Sequence, residues 1–228
     1  MSALSTRTLV LGVVKIFGPA NGYRLRQELL SWNVERWAAL NPGSIYSMLG
    51  TLAKDGAVTR HELSARNGER AATVFTITEA GETEFHRLIM DTLRTVPDSG
   101  DILPLRVVVN FTWTLERDEF LQAARRRREL LAEAIPNYAA AIAELTATTS
   151  APPSIAIELE LEQGLAQAQL VWLDGLIARV VRGELYFRGE DDKVSWRPAD
   201  DDPGWPMMRE RQNFVERIAA LEGGPAKT

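Results

Sequence analysis

The sequence predicts a mainly α-helical protein in which three N-terminal helices precede one β-hairpin and long helices occupy the second half. Apolar residues recur at helical spacing on either side of only two strand-like segments, residues 57–63 and 72–78. Asn67-Gly68 lies between these segments and is a favoured pair for a tight hairpin turn. Three helices followed by such a hairpin predict an N-terminal winged helix-turn-helix with a two-stranded β wing, followed by a region of long helices.

The composition of the 228-residue chain is ordinary, with 45% apolar and 25% charged residues, and its length suffices for a packed core. It has no cysteine, which excludes structural disulfides and thiolate metal sites. Because the N-terminus lacks the pattern of a secretory signal, we expect a cytoplasmic protein. The net charge of −5 divides unevenly: residues 1–78 hold nine basic and five acidic residues, and residues 79–228 hold seventeen and twenty-six. Attraction for phosphate is therefore expected in the N-terminal region.

The first two helices are predicted from apolar periodicity and from their boundaries. Residues 4–17 carry apolar side chains on one face, and Gly18-Pro19 ends that pattern. Asn21 is suited to cap a second helix, because its side chain can accept a hydrogen bond from a free backbone N–H.

The third predicted helix, residues 42–55, has the clearest boundaries. Asn41 can cap its start, Pro42 fits the first helical position, and Gly56 can take the left-handed conformation after its end. One face is apolar and the other carries short polar side chains that a groove wall could approach closely. An ordinary surface helix shows the same pattern. What favours a helix that binds DNA is the hairpin that follows it.

The second half reads as helical. After a helix over residues 79–95, proline, glycine and small polar residues at 96–100 indicate a domain boundary. Two long helices, the second over residues 154–182, are expected to form an antiparallel hairpin, which cannot bury both of its apolar stripes alone. The predicted domains are therefore 1–96 for DNA binding, 97–185 for dimerisation, and a C-terminal extension, 186–228, with a possible helix over residues 205–221.

Four short segments resemble motifs of one family, in the same order along the chain. They are Gly18-Pro19-Ala20-Asn21-Gly22-Tyr23-Arg24-Leu25, Pro42-Gly43-Ser44-Ile45-Tyr46-Ser47-Met48-Leu49, Asp55-Gly56-Ala57-Val58 and Val74-Phe75-Thr76-Ile77-Thr78-Glu79-Ala80-Gly81. Together they resemble the PadR-like transcriptional regulators. The resemblance covers roughly residues 8–183, with its stronger motifs before residue 81, and nothing in it aligns with the extension.

The resemblance implies a dimeric, sequence-specific DNA-binding regulator, a repressor responsive to a small molecule. It would read an inverted-repeat operator on double-stranded DNA with helix 42–55 and wing 64–71. Tyr23 and Tyr46 could equally be core residues with a surface hydroxyl. The expected DNA-contacting residues are Tyr23, Arg24, Ser44, Tyr46, Ser47, Thr51, Lys54, Arg66, Asn67 and Arg70.

Two further sets of residues are expected in the helical half. A pocket for a small planar apolar effector would be lined by Phe111, Trp113, Tyr138 and Trp172, although these aromatic residues could also be plain core. The homodimer interface is expected to use Leu121, Leu131, Ile135, Leu161, Leu165, Trp172 and Leu176.

Other function classes find little support. His61 and His86 are the only histidines and have no nearby cluster of metal ligands, and no phosphate-binding loop or nucleophile elbow occurs. We therefore expect no enzyme activity, no metal, no cofactor and no membrane partner. The alternative is a winged-helix module that binds a protein instead of DNA, against which Lys54, Arg66 and Arg70 argue.

Overall fold

The computed structural model describes residues 3–38, 40–65, 70–97, 101–147, 152–190 and 204–222. The chain divides into two compact units, one formed by residues 1–88 and 195–228 and the other by residues 89–194. This division differs from the boundaries that the sequence suggested, because the C-terminal extension groups with the N-terminal residues. Among the described residues, no helix combines the length and the apolar composition that a membrane span requires.

The first unit is built on four N-terminal helices: α1 (Ala3–Phe17), α2 (Gly22–Ser31), the short α3 (Val34–Trp37) and α4 (Pro42–Lys54). Both predicted caps are confirmed, since Asn21 accepts a hydrogen bond from the Arg24 N–H and Asn41 accepts one from the Ser44 N–H, each at 2.9 Å. The helix that the sequence placed third is α4, because α3 precedes it.

The wing belongs to a three-stranded antiparallel sheet. Strands β2 (Val58–Leu63) and β3 (Ala72–Ile77) form the predicted hairpin, and β1 (Ala20–Asn21) pairs with the other edge of β3, so the order is β1-β3-β2. The sequence predicted two strands. The sequence did not predict β1, because two residues are too few to show an alternating pattern.

Helix α5 (Glu79–Arg94) follows the sheet directly. The Thr78 Oγ1 accepts a hydrogen bond from the Gly81 N–H at 3.1 Å, which confirms the predicted cap. A Cβ on Gly81 would lie only 2.0 Å from the Ala57 carbonyl oxygen, so the helix approaches the sheet closely at this glycine.

The second unit is helical. It contains α6 (Leu103–Val108), the 3-10 turns Val109–Thr114 and Pro153–Ala156, and the two long helices α7 (Arg117–Ala147) and α8 (Ile157–Val181). Helices α7 and α8 form the predicted hairpin, and α7 continues through Pro136. The last described helix, α9 (Gly204–Glu222), belongs to the first unit and confirms the helix predicted in the extension.

Candidate nucleic-acid interface

Helix α4 is fixed to the first unit by its apolar face and by one arginine. Ile45, Leu49 and Leu52 are buried. At the end of the helix, Arg7 Nη1 donates to the Asp55 carboxylate at 2.6 Å, and its Nε and Nη2 donate to both oxygens of Glu84 at 2.6 and 2.8 Å. The hydrogen bonds to Glu84 raise the pKa of Arg7 further above its already high ordinary value. This bidentate pairing ties α1 to α5 and to the residue that ends α4.

The other face of α4 is open to solvent. Ser47, Gly50, Thr51 and Lys54 are exposed, and Ser44 is half-buried in the first turn. The Thr51 hydroxyl donates to the Ser47 carbonyl at 3.1 Å, back along the helix. A row of short side chains with one cation at its end thus lies where the sequence expected a DNA-reading surface.

Two tyrosines lie beside this row. Tyr23 is 56% exposed and Tyr46 is 48% exposed, so neither is the core residue that the alternative interpretation required. A Cβ on Gly22 would lie 2.8 Å from Tyr46 Cε1, which shows that the Tyr46 ring packs against the start of α2. The starts of α2 and α4 therefore meet at this ring.

A groove of about 560 Å³ separates these helices from the wing. Arg60 on β2 and Thr73 on β3 contribute to its far wall. The sequence interpretation missed Arg60, although the register could have identified it: Arg60 pairs with Phe75, on the sheet face opposite Leu63. Its ion pair with Glu62, at 2.5 Å, is largely exposed and therefore weak. The groove residues are Asn21, Gly22, Tyr23, Tyr46, Gly50, Arg60, Ala71, Ala72, Thr73 and Phe75.

The remaining expected DNA contacts lie at the wing and on α2. Arg66 and Asn67 are outside the described residues. Arg70 is exposed, next to the start of β3. Arg24, in the first turn of α2, has a partner that the sequence did not indicate, since its Nε donates to the Glu210 carboxylate of α9 at 2.8 Å.

Helix α9 packs on the wing through apolar residues. Phe214 and Ile218 form a buried cluster with Leu63 of β2 and Val74 of β3. No local pattern could have indicated this contact, because the partners lie far apart in the sequence.

The expected effector residues differ in their exposure. Phe111 is fully buried, Trp113 is exposed and Tyr138 is half-buried. Of the four, only Trp172 lines the described groove of about 430 Å³ between α6 and α8. The lining residues of that groove are Ile102, Leu105, Arg106, Val109, Leu165, Ala168, Gln169 and Trp172.

Beside this groove lies a buried cation. Arg127 is 2% exposed; its Nη1 donates to the Thr92 carbonyl at 3.0 Å and to the Thr95 carbonyl, and its Nη2 donates to Gln169 Oε1 at 2.8 Å. Desolvation lowers its pKa to about 10, and its Nε makes no hydrogen bond. Within the described part of the chain Arg127 forms no ion pair, whereas Arg126 and Arg128 pair with Glu129 and Asp174.

The expected dimer residues fall into three groups by exposure. Leu121 and Leu131 are buried in a single chain, and Ile135, Leu165 and Leu176 are half-buried. Leu161 is 61% exposed and Trp172 is 43% exposed. The buried residues of α8 are instead Ala166, Gln169, Leu173 and Val180.

Comparison with known proteins identifies the N-terminal region. Residues 10–87 match the sequence model of the Transcriptional regulator PadR-like family. A crystal structure of Bacillus subtilis PadR in complex with operator DNA shares 18% identity over 76% of this chain and 98% of that chain, with a TM-score of 0.32. The smu.1604c protein from Streptococcus mutans UA159 shares 21% identity over 78% of this chain and 99% of that chain, also with a TM-score of 0.32.

No protein of curated function matches the sequence. Both structural similarities are weak, so the assignment depends on the family match, which spans most of the first unit's helices and the whole hairpin. This region contains all four motifs that suggested the family and the open face of α4. Residues 10–87 are therefore similar to the PadR-like family, whose members are DNA-binding transcriptional regulators and not enzymes.

Proposed function

We propose that this protein is a homodimeric, sequence-specific repressor that binds an inverted-repeat operator and responds to a small molecule. The observation that carries the proposal is the open face of α4. Its short side chains are flanked by two exposed tyrosines and lie across a groove from Arg60. Such a surface lets a helix enter the major groove closely, where hydroxyl groups and Lys54 can contact phosphates and base edges.

Dimerisation is supported by a second apolar stripe on α8. Leu161, Leu165, Ala168 and Trp172 follow helical spacing, yet they lie beside the stripe that packs on α7 and remain exposed or half-buried. An exposed row of large apolar side chains indicates an interaction surface. A second copy related by a two-fold axis would cover it and place two α4 helices about 34 Å apart, on half-sites one helical turn apart.

The groove between α6 and α8 is our proposed effector site. Arginine only donates hydrogen bonds, so Arg127 fixes the oxygen of the Gln169 amide toward itself and leaves the amide nitrogen as a donor. Because Gln169 also lines the groove, the site suits a planar apolar molecule that carries one hydrogen-bond acceptor. Leu165 and Trp172 belong to both the groove and the dimer stripe, so an occupant would alter the dimer surface and hence the spacing of the α4 helices.

Operator binding tests the proposal directly. The DNA upstream of the protein's own gene is titrated with the wild type, with K54A/R70A and with R125A/R126A, which loses the same charge from exposed positions on α7. We expect specific, salt-sensitive binding that K54A/R70A loses and R125A/R126A keeps. Binding to neither this DNA nor a random pool, even at low salt, would favour the protein-interaction module. Action on an operator also implies a cytoplasmic location.

The effector proposal has its own test. Planar apolar compounds with and without an acceptor are compared for their ability to release the operator. We expect release only by compounds with an acceptor. Q169E still accepts from Arg127 but has no amide donor, so we expect it to bind DNA normally without responding. Equal responses of Q169E and the wild type would place the effector elsewhere.

A further inference from the structure

Helix α9 carries a row of side chains that is directed at the DNA-binding unit. Glu210, Phe214 and Ile218 are four residues apart and therefore lie on one face of the helix. Phe214 and Ile218 are buried against Leu63 and Val74. These two partners share one face of the sheet, because Leu63 pairs with Ala72 and side chains alternate along β3. Helix α9 thus covers the face of the wing that is opposite the groove beside α4.

At one end of this row, α9 binds Arg24, a residue that is expected to contact DNA phosphate. Arg24 Nε donates to Glu210 Oε2 at 2.8 Å. Both side chains are partly exposed, 39% and 32%, so the pair contributes little to stability and exchanges readily with another anion. Arg24 lies in the first turn of α2, where the helix dipole and free backbone N–H groups also attract phosphate. The Glu210 carboxylate thus pairs with a cation that lies where DNA phosphate could bind.

At the other end of the row, α9 holds the two ends of the wing loop. Arg217 Nη2 donates to the Ser64 carbonyl at 2.9 Å and to the Arg70 carbonyl at 3.3 Å. Ser64 directly follows β2, and Arg70 lies two residues before β3. A single guanidinium nitrogen therefore links both sides of the hairpin where it leaves the sheet. This contact holds the carbonyl groups of Ser64 and Arg70 together at one position on α9.

We infer that α9 sets the strength of operator binding: Glu210 competes with DNA phosphate for Arg24, and Arg217 is a positioning residue that holds the wing. The inference rests on the proposed function and extends it to a segment for which the family resemblance gives no role. The apolar cluster keeps α9 in place, so the competition operates within every molecule. While Arg24 remains paired with Glu210, each subunit lacks one phosphate contact.

The salt dependence of operator binding by E210Q tests the competition. Each additional phosphate contact steepens the slope of log affinity against log salt by about 0.9, and a dimer gains two, so we expect about 1.8 in total. The control E216Q removes the same charge from an exposed position on the same helix and corrects for general repulsion of DNA. We expect tighter, more salt-sensitive binding by E210Q than by the wild type and E216Q. R24A/E210Q should show no such gain over R24A.

Three outcomes separate the possible failures. A slope for E210Q equal to those of the wild type and E216Q would overturn the competition, as would an equal gain in the R24A background. Absence of DNA binding by the wild type and all variants would overturn the proposed function, and this inference with it.

Substitutions of Arg217 test its positioning role. A lysine can donate to both carbonyl groups from one nitrogen, whereas a methionine of similar length cannot donate. We expect R217M to bind the operator several-fold more weakly, with weaker protection of the wing-contacted DNA in a hydroxyl-radical footprint, and R217K to restore both. An unchanged footprint in R217M, with wild-type affinity, would show that Arg217 does not position the wing.

Discussion

Phe214→Ala in α9 would remove most of the side chain that joins the C-terminal helix to the wing. Phe214 is 4% exposed and packs with Leu63, Val74 and Ile218. Truncation of a buried phenylalanine costs about 3–5 kcal/mol, and the lower end applies here because the cluster is small and lies between one helix and one sheet face. We therefore expect opening of α9 to become about 3 kcal/mol easier, which corresponds to roughly a hundredfold change in the opening equilibrium.

Amide hydrogen exchange is the suitable assay, because a chain with two units need not unfold in one step and exchange reports local opening. Peptides from α9 should exchange about a hundredfold faster in F214A than in the wild type. The adjacent Val215 is 43% exposed, so V215A is the matched control, with an expected change within about 0.5 kcal/mol. Equal exchange in F214A and V215A would refute the packing of α9 on the wing.

Three other perturbations have definite expected outcomes. G81A should lower the free energy of unfolding in urea by several kcal/mol, because its Cβ would lie 2.0 Å from a carbonyl oxygen. G50A, whose Cβ would have no atom within 4 Å, should raise it by about 1 kcal/mol. Equal effects would contradict the close approach of α5. L161E should shift the mass measured by sedimentation from that of a dimer toward that of a monomer, whereas L221E, similarly exposed on α9, should not. A dimer mass for L161E would exclude this stripe of α8 from the interface. Burial lowers the pKa of Arg127 to about 10, whereas this side chain keeps its proton to higher pH in the unfolded chain. The free energy of unfolding of the wild type minus that of R127M should therefore rise between about pH 10 and 12. A flat difference would mean that Arg127 is not desolvated.

The features that followed from the sequence depend on local chemistry. Asn21, Asn41 and Thr78 each cap a helix with a side chain whose partner lies three residues away. Gly56 has a φ of +75°, the left-handed conformation that the sequence predicted at the end of the α4 helix. Such signals are complete within a few residues and need no knowledge of the rest of the fold.

The features that the sequence left undetermined depend on distant partners. Helix α8 carries adjacent apolar stripes, and periodicity cannot tell which of them faces α7. The sequence around Arg24 predicts a phosphate contact but does not indicate its partner Glu210, which lies far along the chain. The aromatic residues expected to share a pocket are divided between core and surface, because composition indicates that aromatic residues are present but not which cavity they line.

A hydroxyl-radical footprint of the wild-type protein on the DNA upstream of its own gene tests the central claim most directly. The account predicts two protected half-sites related as an inverted repeat, with centres about one helical turn apart, and protection that fades as salt rises. Absence of protection at any protein concentration in low salt would contradict it.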